Sequence, residues 1–187
     1  MTSNFIFIHS TGGNPSECWY PWLETELKNK GCKVMSPSFP TPEGQTLNNW
    51  LNAFEPYWNK INENTVLVGR SIGAPFVLSL LERINVRIKA AFLVAGFASD
   101  IGRPEFNDYI DTFVENPFDW QKIRNNCEQF FVYHAEDDPI VDLKYGKELA
   151  KQLNTKLILV KDGGHFNIGT KFGYKFKNIL EDINRIP

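Results

Sequence analysis

The chain has 187 residues, 42% of them hydrophobic and 22% charged, with a formal net charge of −2. That length suits one domain with a full core, and the near-neutral balance offers no electrostatic footprint for nucleic acid or an anionic membrane surface. No apolar stretch approaches the ~20 residues of a membrane span, and Cys18, Cys32 and Cys127 lack the Cys-x-x-Cys spacing of a zinc site or a disulfide framework. No metal or cofactor is expected. Free thiols, and a start that runs from Met1-Thr2-Ser3-Asn4 straight into Phe5-Ile6-Phe7-Ile8 without a charged leader, point to the cytoplasm.

The first apolar run predicts a strand over 4–9, which opens into the small, Gly-rich loop His9-Ser10-Thr11-Gly12-Gly13-Asn14-Pro15. A helix over 15–29, a strand over 32–36 and a helix over 46–61 follow. Thr65-Val66-Leu67-Val68-Gly69 predicts a third strand over 65–69, which leads through Gly69-Arg70-Ser71-Ile72-Gly73-Ala74 into an apolar helix over 72–84. After a fourth strand over 90–95 comes the stretch 97–126, which contains Gly102, Pro104, Asn107, Asn116 and Pro117 and has no single clean period. Its aromatics can lean over a site or anchor a long excursion; Phe106 and Tyr109 are the candidates for the first role. A fifth strand over 129–134, a helix over 143–153 and a sixth strand over 156–160 precede a last helix over 170–185, with Phe172, Phe176, Ile179, Leu180 and Ile183 on one face. The strands are apolar without alternation, as strands covered on both faces are. The expectation is an α/β fold: a mostly parallel six-stranded sheet with helices on both faces, one domain over 1–187 and no large separate cap domain.

Chemistry gathers at three strand ends. Gly69-Arg70-Ser71-Ile72-Gly73 lies between a buried strand and an apolar helix, the context of a nucleophile elbow, in which crowded backbone leaves room only for glycine on either side of the serine. Ser71 would stand at a helix N-terminus, where the Ile72 amide and the helix dipole favour a developing oxyanion. Serine needs an adjacent base. Of the three histidines, His9 and His134 end predicted strands, whereas His165 follows the last strand in Gly163-Gly164-His165-Phe166, and in the order Ser…Asp…His the base comes last. The acid should follow the fifth strand, in Glu136-Asp137-Asp138-Pro139. Three consecutive acids leave the choice open. Asp138 is favoured because an Asp-Pro-hydrophobic-Val step is where hydrolases with this order of residues usually carry the acid. Pro139 also restricts it to an extended conformation, and Asp137 is the runner-up. The second oxyanion amide is assigned to Thr11, with Ser10 behind it, and His9 is read as ordering that loop. Ser10, Phe106, Tyr109 and Phe166 are the candidates to line a substrate pocket. The Gly12-Gly13 pair has neither spacing of a nucleotide-binding loop.

These segments, with Trp19-Tyr20-Pro21-Trp22, Leu93-Val94-Ala95-Gly96, Asp119-Trp120-Gln121-Lys122-Ile123-Arg124 and Asn126-Cys127, resemble a small branch of the α/β-hydrolases. That branch is the family of retinoblastoma-binding protein nine and related bacterial hydrolases. The resemblance covers nearly the whole chain and implies a compact α/β-hydrolase fold with a triad of Ser71, Asp138 and His165. It further implies hydrolysis of small esters or amides. The Leu-x-Cys-x-Glu segment is absent, the region reading Tyr57-Trp58-Asn59-Lys60-Ile61-Asn62-Glu63, so binding of the retinoblastoma protein is not implied.

Two functions are therefore expected in order. The first is a serine hydrolase of small carboxylic esters, thioesters or activated amides that works through an acyl-enzyme. The second is an interaction module on the same fold with catalysis vestigial. Removing Ser71 separates them.

Overall fold

The computed structural model describes residues 3–186. Among them six strands form one sheet: β1 (Asn4–Ile8), β2 (Lys33–Met35), β3 (Thr65–Arg70), β4 (Ile88–Val94), β5 (Cys127–Ala135) and β6 (Leu157–Val160). The order across the sheet is β2-β1-β3-β4-β5-β6, and every neighbouring pair runs parallel. The apolar runs divide residue by residue between two cores, as the pleat requires. Phe5, Phe7, Val66 and Val68 point to one face, where they meet helices α1 (Tyr20–Asn29) and α7 (Lys177–Ile183). Ile6, Ile8 and Leu67 point to the other, beneath α2 (Leu47–Phe54), α3 (Gly73–Leu81), α4 (Asn107–Val114), α5 (Trp120–Asn125) and α6 (Leu143–Gln152).

The helices depart from the sequence expectation mainly at prolines. The helix expected over 15–29 begins at Tyr20, because Pro21 has no N–H and is accepted only in a first turn. The helix expected over 46–61 stops at Phe54; Pro56 then opens a 3₁₀ segment, Glu55–Lys60. The stretch 97–126 holds two helices that the sequence reading missed, α4 and α5, and the Asp119 side chain caps α5 by accepting from the Lys122 amide at 2.9 Å. The helix expected over 170–185 shortens to α7. Residues before it turn tightly around Gly173, where a Cβ would stand 2.7 Å from the Asn167 carbonyl oxygen. Phe172 and Phe176 are buried all the same, from those turns rather than from a helix face.

The face under α3 is knit by aromatic rings. Phe76 is fully buried, with ring centroids of Phe39, Trp50 and Phe54 at 5.1, 5.2 and 5.9 Å. Tilted and edge-on contacts of this kind add to burial. We expect Phe76→Ala to lower the free energy of unfolding by about 3–5 kcal/mol, measured by urea denaturation. A loss under about 1 kcal/mol would show that the surrounding rings collapse into the space.

Candidate active site

The C-terminal ends of β1, β3, β5 and β6 open onto one cavity of about 300 Å³. It lies where the strand order reverses between β1 and β3, the usual place for a ligand in an open α/β sheet.

At the β3–α3 turn the backbone is crowded from both sides. A Cβ on Gly69 would stand 2.4 Å from the Gly73 carbonyl oxygen, and one on Gly73 would stand 2.6 Å from the Ile8 carbonyl oxygen. Between the glycines, Ser71 takes φ +54°, a left-handed conformation that costs a non-glycine residue on the order of 1–3 kcal/mol. Its amide donates to the Val94 carbonyl at 2.9 Å, which fastens the strained residue to β4. Ser71 lines the cavity and is 9% exposed. Ile72 caps α3, so its amide precedes the intrahelical ladder and has no partner within the helix.

The β5 and β6 ends bring an acid to a histidine. His165 Nδ1 lies 3.0 and 2.9 Å from the two oxygens of Asp138. A carboxylate only accepts, so Nδ1 carries the proton and Nε2 of the neutral ring is left as an acceptor. The Asp138 side chain is fully buried and its Oδ1 also accepts from the amides of Ile140 at 2.9 Å and Val141 at 3.1 Å, which hold the carboxylate in place. Asp137, the runner-up, turns elsewhere: its Oδ1 accepts from the Gly164 amide at 3.1 Å and so braces the turn that carries His165. His165 lines the same cavity as Ser71.

The other two histidines are structural in their contacts. His9 Nε2 accepts from the Phe39 amide at 2.9 Å, and its Nδ1 lies 3.0 Å from the Ser10 carbonyl, to which it donates. His134 Nε2 lies 2.9 Å from the Val141 carbonyl and donates to it, so it steadies a residue whose amide serves Asp138. Burial pushes the pKa of both rings below the ordinary value.

The cavity lining divides by chemistry into a polar set and an apolar set. Ser10, Thr11, Arg70 and Asn167 join Ser71 and His165 in the first; Phe97, Ile101, Phe106, Ile110, Ile140 and Val141 belong to the second. Of the four pocket candidates, Ser10 and Phe106 are brought to the wall and two are not. Tyr109, on α4, packs against the core under that helix, and its carbonyl accepts from Gln45 Nε2 at 2.7 Å. Phe166 follows His165 with φ +51°, and its fully buried ring joins Phe172 and Phe176 in the α1–α7 core.

Sequence reasoning passed over two residues. Gln45 is buried and donates to Thr11 Oγ1 at 2.9 Å as well as to Tyr109, tying the loop after β1 to α4. It lies in a polar, Pro- and Gly-bearing segment with no periodic signal. Arg70 is 3% exposed beside Ser71; the signal for it is a charge closing an otherwise apolar strand.

Two predictions follow from this packing. Gly73→Ala forces a Cβ into the β1 carbonyls and should destabilise the fold by about 1–3 kcal/mol, measured by urea denaturation; a variant as stable as the parent would disprove the crowding. For His9 and His134, the folded pKa lies below the unfolded value of 6.5, so below that pH the unfolded chain takes up protons that the folded chain refuses. Stability should hold above about pH 6.5 and fall below it, by up to about 1.4 kcal/mol per pH unit for each ring. Urea midpoints at about pH 7.5 and 5.5 check this, and replacing either histidine should flatten the slope.

A profile of the serine hydrolase family matches residues 5–180. The chain is 33% identical over 168 residues to the YdeN protein of Bacillus subtilis (strain 168), covering 89% of this chain and 87% of that one. It is 29% identical to the serine hydrolase RBBP9 of Rattus norvegicus over 164 residues, 86% of each chain. The crystal structure of the B. subtilis ydeN product superposes with a TM-score of 0.89, covering 98% of this chain and 97% of that one. A methylesterase from Arabidopsis, MES16, shares the fold at a TM-score of 0.72 and 15% identity, with 98% and 99% covered. The chain belongs to the serine hydrolase family and has the α/β-hydrolase fold.

Proposed function

We propose that the protein is a carboxylesterase-like serine hydrolase acting on small esters through an acyl-enzyme. Ser71 serves as nucleophile, His165 as base and Asp138 as the acid that orients it. The observation that carries this reading is the pair of contacts from His165 Nδ1 to Asp138, at 3.0 and 2.9 Å, in a cavity that Ser71 also lines.

Ser71 Oγ attacks the substrate carbonyl carbon and His165 Nε2 takes its proton. The carbonyl oxygen becomes an oxyanion, held by the amides of Ile72 and Thr11 and favoured by the N-terminus of α3. When the tetrahedral intermediate collapses, the C–O bond to the alcohol breaks and the departing oxygen takes the proton from His165. The acyl group is left on Ser71. A water then gives its proton to His165, attacks the acyl carbon and releases the acid, and the serine regains its proton. Throughout, Asp138 keeps the Nδ1 proton in place and stabilises the imidazolium. No cofactor enters.

The apolar wall of Phe97, Ile101, Phe106 and Ile110 suits a short hydrocarbon part of the substrate, and the polar side suits the ester group. Thioesters and activated amides can follow the same route. Free cysteines fit work in the cytoplasm, and among the described residues no helix is long and apolar enough to cross a membrane.

A fluorophosphonate probe should label the parent protein, and labelling should vanish in Ser71→Ala and His165→Ala. Asp138→Asn should lower kcat on short-chain esters by about 10³–10⁴-fold, because the amide cannot hold the same tautomer. Asp137→Asn, which keeps an acceptor for Gly164, should cost less than about tenfold. Undiminished hydrolysis by Ser71→Ala would disprove the assignment, and an unlabelled parent would favour a binding role on this fold.

A further inference from the structure

We propose that Arg70 is a positioning residue for the hydrolysis: a fork at the end of β3 that locks both the oxyanion loop and the base loop to the strand carrying the nucleophile. The inference rests on the triad reading above.

Arg70 is the last residue of β3 and immediately precedes Ser71. One of its terminal nitrogens, Nη2, donates to Ser10 Oγ at 2.5 Å and lies 3.4 Å from Glu17 Oε1. The other, Nη1, donates to the His165 carbonyl at 3.2 Å. Its Nε is buried with no hydrogen-bond partner. Stability alone does not account for such a group. Desolvating a guanidinium is expensive, one carboxylate at 3.4 Å repays it poorly, and an apolar side chain of similar volume often does as well or better in such a place. What an apolar side chain cannot do is hold two loops at once. A planar fork can.

The loops it holds are the two that must meet Ser71. Ser10 neighbours Thr11, and its carbonyl is already tied by the Gly13 amide at 3.0 Å and by His9 Nδ1. Around the base, successive residues are gripped by different elements. Asp137 takes the Gly164 amide, Asp138 takes the His165 ring, and Trp19 Nε1 donates to the Phe166 carbonyl at 3.1 Å. Asp137, Asp138 and Trp19 tie the base loop to the β5 end and to the start of α1. Arg70 adds the bond that ties His165 itself to β3. Without it the loops keep their own anchors and lose a common reference to the nucleophile.

Two variants separate fork from charge: Arg70→Met keeps volume without charge, and Arg70→Lys keeps charge with a single donor head. Steady-state kinetics on p-nitrophenyl esters, with active-site titration to count competent sites, should show kcat down roughly 10- to 100-fold in both, as a misplacement of about 1 Å costs. KM should move by less than about threefold, since both terminal nitrogens of Arg70 are spent on the two loops rather than on the substrate. Ser10→Ala should cost less alone and nothing further in the Arg70→Met background, since both remove one tie. Unchanged kcat per competent site in Arg70→Met, full recovery in Arg70→Lys, or additive losses with Ser10→Ala would each overturn the proposal. A readout that needs no turnover keeps it distinct from the triad reading: the His165 Nδ1 proton resonance should shift or broaden in Arg70→Met. If the parent fails to label with fluorophosphonate, the triad reading falls, and that resonance still decides on Arg70, an unaltered signal overturning it.

Discussion

At the end of β3, three pieces of backbone meet with no space between them for a side chain. Gly69 abuts Gly73, and Gly73 abuts the carbonyls of Ile8 and His9 at the end of β1. This contact brings the N-terminus of α3 beside the loop after β1. It also forces the residue between the glycines into a conformation that only tight surroundings can maintain. The bond from the Ser71 amide to Val94 supplies part of that hold, and β4 in turn is held by β5. The strain at one serine is thus spread across the middle of a buried parallel sheet, whose strands have little freedom to relax. A site assembled from separate loops can be rigid only if its centre is fixed in this way.

Buried polar contacts then aim the loops at that centre. Asp138 accepts from two adjacent amides after β5 and from a ring after β6. His9 and His134 serve the same end without titrating in the ordinary range: one fixes the turn after β1 to Phe39, the other fixes Val141. Gln45 joins the Thr11 loop to α4, so the apolar wall and the polar side of the cavity share one hydrogen-bonded support. Among these contacts, those of His9 with Phe39, Asp138 with His165 and Gln45 with Thr11 and Tyr109 join residues 27 to 64 positions apart. Such a network specifies one arrangement of loops, since any other leaves polar atoms unpaired in a dry interior.

That distance explains which parts were legible in the sequence. The six strands announce themselves because β-branched and aromatic runs covered on both faces have few other uses, and the parallel order follows from their alternation with helices. Ser71 and His165 stand out because glycines stand on both sides of the first and just before the second, a local signature of backbone forced into unusual shape. The choice between Asp137 and Asp138 leans on the family position of the Asp-Pro step and on Pro139, and in the fold one carboxylate meets the His165 ring and the other the Gly164 amide. Less visible were effects that depend on a partner elsewhere. Pro21 and Pro56 decide where helices start, yet 15–29 and 46–61 read as continuous amphipathic stretches. Phe166 adjoins His165 but is turned into the opposite core by a positive φ, which adjacency in sequence cannot reveal. Gln45 and Arg70 are ordinary polar letters until the fold surrounds them.

The sheet also carries its two shortest strands at its margins, β2 with three residues and β6 with four. An open sheet always presents unpaired amides and carbonyls along its outer strands, and a long flat margin recruits strands from other molecules. Here the longer strands, with their continuous apolar sequences, all lie inside, sealed on both sides by neighbours. A nascent or partly opened chain that keeps this order exposes only a few rungs at either margin. The strand order itself therefore limits edge-to-edge pairing between molecules, apart from anything on the face that carries the cavity.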